Sequence, residues 1–121
     1  MANRVVWIDI PVADLDRAIR FYSAILGAPS QKHEFPNGMT IGFLPHDSGD
    51  VGGCLVPGGD QRPSPVGPLV YLNVTGRLDD ALAAVEPNGG KILQPRESIG
   101  QHGFRAIILD SEGNRFALHS S

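Results

Sequence analysis

The feature that most constrains this chain is that it says the same thing twice. Val5 to Val12 (Val-Val-Trp-Ile-Asp-Ile-Pro-Val) is β-rich and partly alternating, and Asp14 follows as a helix N-cap. Leu15, Ile19, Tyr22 and Leu26 then recur at helical spacing, with Gly27 as the stop and Pro29 forbidding continuation. The second half repeats this order: Leu69 to Val74, then Leu78, Ala81, Leu82 and Val85, then Pro87-Asn88-Gly89-Gly90. The offset is 62 residues at Val12 and Val74, and 63 at Leu15 and Leu78 and at Gly27 and Gly90. One inserted residue near Arg77 accounts for the change. A repeat of this length is a structural unit used twice.

Each unit continues with three strands. In the first, Ser30 to Phe35 and Met39 to Leu44 flank the turn Pro36-Asn37-Gly38, and Gly52 to Val56 follows the polar loop His46 to Asp50. In the second they are Lys91 to Gln94, Phe104 to Leu109 and Arg115 to His119, the last two joined by Asp110-Ser111-Glu112-Gly113-Asn114. Between the units, Pro57 to Pro68 holds four prolines and three glycines and reads as a linker. The expected architecture is α+β: one domain over residues 1–121, with βαβββ modules at 1–56 and 69–121. One helix covers only one face of its sheet, so the other face must curl around a cavity or meet a partner. The expectation is curved sheets around a cavity with the helices outside. Closure within one chain and exchange between two chains are both open.

Composition narrows the function. Thirteen acidic against ten basic residues give a net charge of -3, and no basic stripe is present to hold nucleic acid. No apolar run has the length of a membrane span, and the N-terminus lacks the layout of a signal peptide, so a cytoplasmic location is expected. Cys54 is the single cysteine, which excludes an intramolecular disulfide and a cysteine-based zinc site.

Val6 to Tyr22 (Val-Trp-Ile-Asp-Ile-Pro-Val-Ala-Asp-Leu-Asp-Arg-Ala-Ile-Arg-Phe-Tyr) resembles the opening of a vicinal-oxygen-chelate protein, and Asp110 to Arg115 resembles its closing turn. That superfamily includes glyoxalase I, bleomycin-resistance proteins and extradiol dioxygenases. The resemblance covers the repeat and the linker. Gly52-Gly53-Cys54-Leu55 and Leu118-His119-Ser120 are similar to a glyoxalase-like subgroup. The resemblance implies a homodimer and, in the metal enzymes, a divalent ion held by His, Gln or Glu on the first and last strands of each unit. The matching positions here are Trp7, Leu69, Ala117 and Gly53 or Cys54. Trp7, Leu69, Ala117 and Gly53 cannot ligate such an ion, and one soft Cys54 is not a site. No metal and no cofactor are therefore expected.

What remains is a cavity for a small organic molecule. Strand parity puts Trp7, Asp9, Tyr71, Asn73, Arg115, Ala117 and His119 on its side. Trp7 and Tyr71 would stack on a planar ligand; Asp9, Asn73, Arg115 and His119 would orient it. Each also has a plainer role: Trp7 fills space, Asp9 pairs with Arg115, Tyr71 and Asn73 lie at a subunit interface, His119 is structural. The alternative is a glyoxalase-type lyase, isomerase or dioxygenase with a relocated metal or a His/Glu acid–base pair. That requires Glu34, expected on the concave face, to converge with His102 and His119.

Overall fold

The computed structural model describes residues 2–121. The first unit comprises β1 (Trp7–Val12), α1 (Leu15–Leu26), β2 (Gln31–Glu34), β3 (Thr40–Phe43) and β4 (Gly52–Pro57). The second comprises β5 (Val70–Asn73), α2 (Leu78–Val85), β6 (Lys91–Ser98), β7 (Phe104–Leu109) and β8 (Arg115–Ser120). Each forms its own four-stranded sheet, ordered β1-β4-β3-β2 and β5-β8-β7-β6. In each, the first strand runs parallel to the last and the remaining pairs are antiparallel. The α+β class and the repeated βαβββ order are as the sequence suggests.

Local chemistry sets the boundaries of α1. Asp14 has extended backbone and its carboxylate accepts from the Arg17 N–H, a side-chain N-cap. Gly27 closes the helix with φ of 70°, which favours glycine. Strand β6 runs past Gln94, where a strand was expected to stop, through Pro95 to Ser98. It is the sheet's edge strand and its register breaks twice, at Ile92/Gln94 and Gln94/Glu97. A proline is tolerated on an edge beside such irregularities.

The packing shows how the helices sit within one chain. A single core unites both helices with the inward side chains of both sheets: Ile10, Val12 and Leu55 from the first, Ile108, Phe116 and Leu118 from the second. The Tyr22 ring of α1 packs edge-on against Phe116 of β8, centroids 6.0 Å apart. Gly90, just before β6, has no side chain where Phe21 lies; a Cβ there would stand 2.5 Å from that ring. Helix α1 thus packs against the second sheet as well as its own, and within one chain the helices lie between the sheets. The opposite faces of the two sheets therefore point away from each other. Within one chain they share open clefts along their edges.

Both ends of α1 are held by the second unit. At its N-terminus the Glu112 carboxylate accepts from the backbone N–H groups of Ala13 and Asp14 at 2.9 and 2.8 Å and from the Arg17 guanidinium at 2.7 and 3.0 Å. At its C-terminus the Arg77 guanidinium donates to the Ile25 carbonyl and lies over Gly27. An anion at the N-terminus and a cation at the C-terminus both complement the helix dipole. Nearby, the Tyr22 hydroxyl donates to buried Asp110 at 2.5 Å, and Asn114 donates to Asp110 and to the Pro11 carbonyl.

Candidate functional site

Alternation along the strands gives each sheet one outward face. On the first, Trp7 and Asp9 of β1 lie beside Cys54 of β4 and Phe43 and Ile41 of β3, with His33 of β2 at the edge. Trp7 is edge-on to Phe43 and to His46, with centroids 6.1 and 5.9 Å away. Its ring lies over Gly52, where a Cβ would stand 2.6 Å from it. Asp9 accepts from the Trp7 indole N–H at 3.0 Å and from the Cys54 thiol at 3.2 Å. It thus binds within its own sheet rather than to Arg115. Burial pushes the Cys54 thiol up to about 11, so it stays protonated at neutral pH and behaves as a small inert side chain.

On the second outward face, Tyr71 and Asn73 of β5 lie beside Ala117 and His119 of β8, and Arg105 and Ile107 of β7 follow in register. The Arg105 guanidinium donates to Glu97 at 2.9 Å and to the Tyr71 hydroxyl. His119 donates from Nε2 to the His102 carbonyl at 2.7 Å, because a carbonyl can only accept. Ala117 is fully buried among larger neighbours, and Arg115 and His119 stand two residues to either side of it on the same face. Asn73 accepts from the Thr75 N–H in a local turn.

The expected residues are therefore all on outward faces, but on two different ones. Trp7 and Asp9 share the first face; Tyr71, Asn73, Arg115 and His119 share the second. The sheet edges also bound open clefts. Asp9 and Arg115 meet Arg62 along one of about 380 Å³ beside the 61–68 segment, and Tyr71 and Asn73 border another of about 600 Å³. Sequence reasoning missed Arg105, although a lone charge in Phe-Arg-Ala-Ile-Ile-Leu was the available signal. It also missed Phe43.

Glu34 is not on the concave face. It pairs in register with Thr40, two residues from Lys32 and Gly42; Lys32 bonds Asp16 of α1 at 2.6 Å, and Gly42 faces Ile19. The helix-side parity of β2 thus carries Glu34 away from His119. His102 meets His119 through its backbone, not its ring. Glu34, His102 and His119 do not converge within the chain.

A family-type divalent ion does not fit these residues. The four matching positions present an indole, a leucine, a buried methyl group and a glycine or a protonated thiol. Among the described residues no group of three or more His, Cys, Asp or Glu side chains is gathered. Nor, among them, is any helix long and apolar enough to cross a membrane.

Solved structures share this fold. A glyoxalase/bleomycin resistance protein from Albidiferax ferrireducens T118 superposes with a TM-score of 0.81 at 19% identity, covering 98% of this chain and 99% of that one. The genomically encoded fosfomycin resistance protein FosX from Listeria monocytogenes superposes at 0.69 with 17% identity, covering 100% and 95%. Among curated proteins, the putative glyoxylase CFP32 of Mycobacterium tuberculosis and of Mycobacterium bovis is 26% identical over 114 residues. The match covers 93% of this chain but only 43% of the relative's length. The family model for the Glyoxalase/Bleomycin resistance protein/Dioxygenase superfamily matches residues 4–118, nearly the whole repeat, and the chain belongs to that superfamily.

Proposed function

We propose that the protein is a metal-free binder of a small organic molecule, and that its site forms between two copies of the chain. The first outward face of one copy covers the second outward face of the other. The observation that carries this reading is that each face leaves a large aromatic ring in solvent: Trp7 is 41% and Tyr71 45% exposed. Charge supports the pairing. The first face has Asp9 on its edge strand β1, and the second has Arg105 and Arg115. Two copies of the second face would set arginines against arginines, whereas first on second sets opposite charges together. A two-fold homodimer makes this contact twice. The donor set supports metal-free binding, because the expected ligand positions hold no ligating group beyond one protonated thiol. The names of the relatives, a glyoxylase and a fosfomycin resistance protein, are consistent with a small-molecule ligand.

Trp7 is the only tryptophan, so its emission reports on the site directly. Sedimentation should show a dimer, and diluting the protein below the dimer's dissociation constant should red-shift Trp7 emission and increase its quenching by iodide. A monomer at all concentrations, or emission indifferent to dilution through the transition, would sink this reading.

A further inference from the structure

The two faces differ in chemistry, and the difference specifies a ligand. On the second face the side chain of Ala117 ends at its β-carbon between Tyr71 on one neighbouring strand and Ile107 on the other, in register. Arg115 and His119 stand two residues to either side of it on the same face. Arg105 lies beside them, in register with His119. Its side chain is only 28% exposed, and Glu97 and Tyr71 hold it through Nε and Nη1. A guanidinium has five N–H donors, so these contacts leave the Nη2 edge to offer. Glu97 offsets the charge of Arg105 and Asp9 of the covering face offsets that of Arg115, so the free Nη2 donors, rather than a net charge, mark the place for an anion. The first face offers aromatic surface: Trp7 and Phe43. Its own carboxylate, Asp9, already accepts from Trp7 and Cys54.

We infer that the ligand is a planar aromatic monocarboxylate, its carboxylate on the Arg105 side of the second face and its ring against Trp7 and Phe43 of the other copy. One free guanidinium edge takes one carboxylate. A planar carboxylate fits the flat edge of a guanidinium, and an aromatic ring fits an aromatic wall. A neutral amide of the same shape keeps the ring contacts and loses the charge. This assignment rests on the two-copy reading above, and the test separates the two.

The probes are 2-naphthoate and 2-naphthamide, titrated calorimetrically into the wild-type protein. Naphthoate should bind at least about tenfold more tightly, the equivalent of roughly 1.4 kcal/mol, and added salt should reduce the difference. Arg105→Gln should remove the preference, and Arg105→Lys should keep part of it. Trp7→Ala should weaken both probes alike. Circular dichroism melts establish that each variant is folded. Equal affinity for the two probes, a preference that survives Arg105→Gln, or no naphthoate binding at millimolar concentration would each overturn the carboxylate assignment.

Mixing the variants tests the two-copy site by itself. Trp7→Ala and Arg105→Gln chains each carry one intact face, so subunit exchange rebuilds one complete site in each mixed dimer. Recovery of naphthoate binding to about a quarter of the wild-type sites supports the composite site, since about half the dimers are mixed and each has one good site of two. Binding by the wild type with no recovery after proven exchange overturns it. Recovery with no preference for naphthoate over naphthamide in the wild type keeps the site and rejects the carboxylate.

Discussion

Glu112 should be the most pH-sensitive stabilising group in the chain. Its side chain is fully shielded from solvent. Burial alone would raise its pKa, but the Arg17 guanidinium, the Asp14 and Ala13 N–H groups and the Ser111 hydroxyl together outweigh it and lower the value from 4.5 to about 2. A carboxylate with a depressed folded pKa contributes stability that is present above the unfolded value and lost as pH falls through the folded one. The window is therefore pH 4.5 down to about 2. A separation of 2.5 between those values, at about 1.4 kcal/mol per pKa unit, makes the contribution about 3 kcal/mol at pH 7. Glu112→Gln keeps the shape and removes the charge. Arg17 does not become a buried lone cation, because its side chain is 43% exposed. Urea unfolding followed by circular dichroism should thus show the variant about 3 kcal/mol less stable at pH 7. The gap should fall to about half near pH 3.2, midway through the window, and nearly close by pH 2. A variant within about 0.5 kcal/mol of wild type at pH 7, or a gap constant across the acid limb, would refute the argument.

Two further substitutions probe the core and the site. Tyr22→Phe removes a buried donor to Asp110, which keeps its bonds from Asn114 and the Glu112 N–H; the loss should be about 1–2 kcal/mol in urea, and no loss would mean the hydroxyl is not engaged in solution. Gly52→Ala places a methyl group against the Trp7 ring. It should displace the indole, visible as altered Trp7 emission, and weaken naphthoate binding several-fold with the secondary structure intact. Unchanged emission would mean that the ring does not rest on Gly52.

What the sequence made legible follows from local rules. Asp14 and Gly27 mark the ends of α1 because capping is decided within a few residues. Period-two alternation placed Trp7, Asp9, Tyr71, Asn73, Arg115, Ala117 and His119 on the faces opposite the helices. The same rule failed for Glu34 only because the face of β2 depends on its register with β3, a pairing across a turn. The strand past Pro95 was hidden because proline argues against strands until one knows that β6 is an edge. Most consequential was the relative placement of the two sheets. Nothing in the spacing of Phe21, Tyr22 and Ile25 says whether they meet their own sheet or the other unit's, so the direction in which each outward face points was not readable.

The clamps on α1 also bear on the origin of the repeat as a duplication. The second unit grips both ends of the first unit's helix, with Glu112 at one and Arg77 at the other. Among the described residues the first unit supplies no such grip in return: the N-cap position of α2 is Arg77 itself, with no side-chain hydrogen bond to the helix end. Arg77 also sits where the second copy gained its extra residue. The two copies have therefore ceased to be interchangeable. A chimera of two first units would leave its α1 equivalents without either partner. The asymmetry that breaks the repeat is also what orients the two halves, and with them the opposite directions in which the binding faces look.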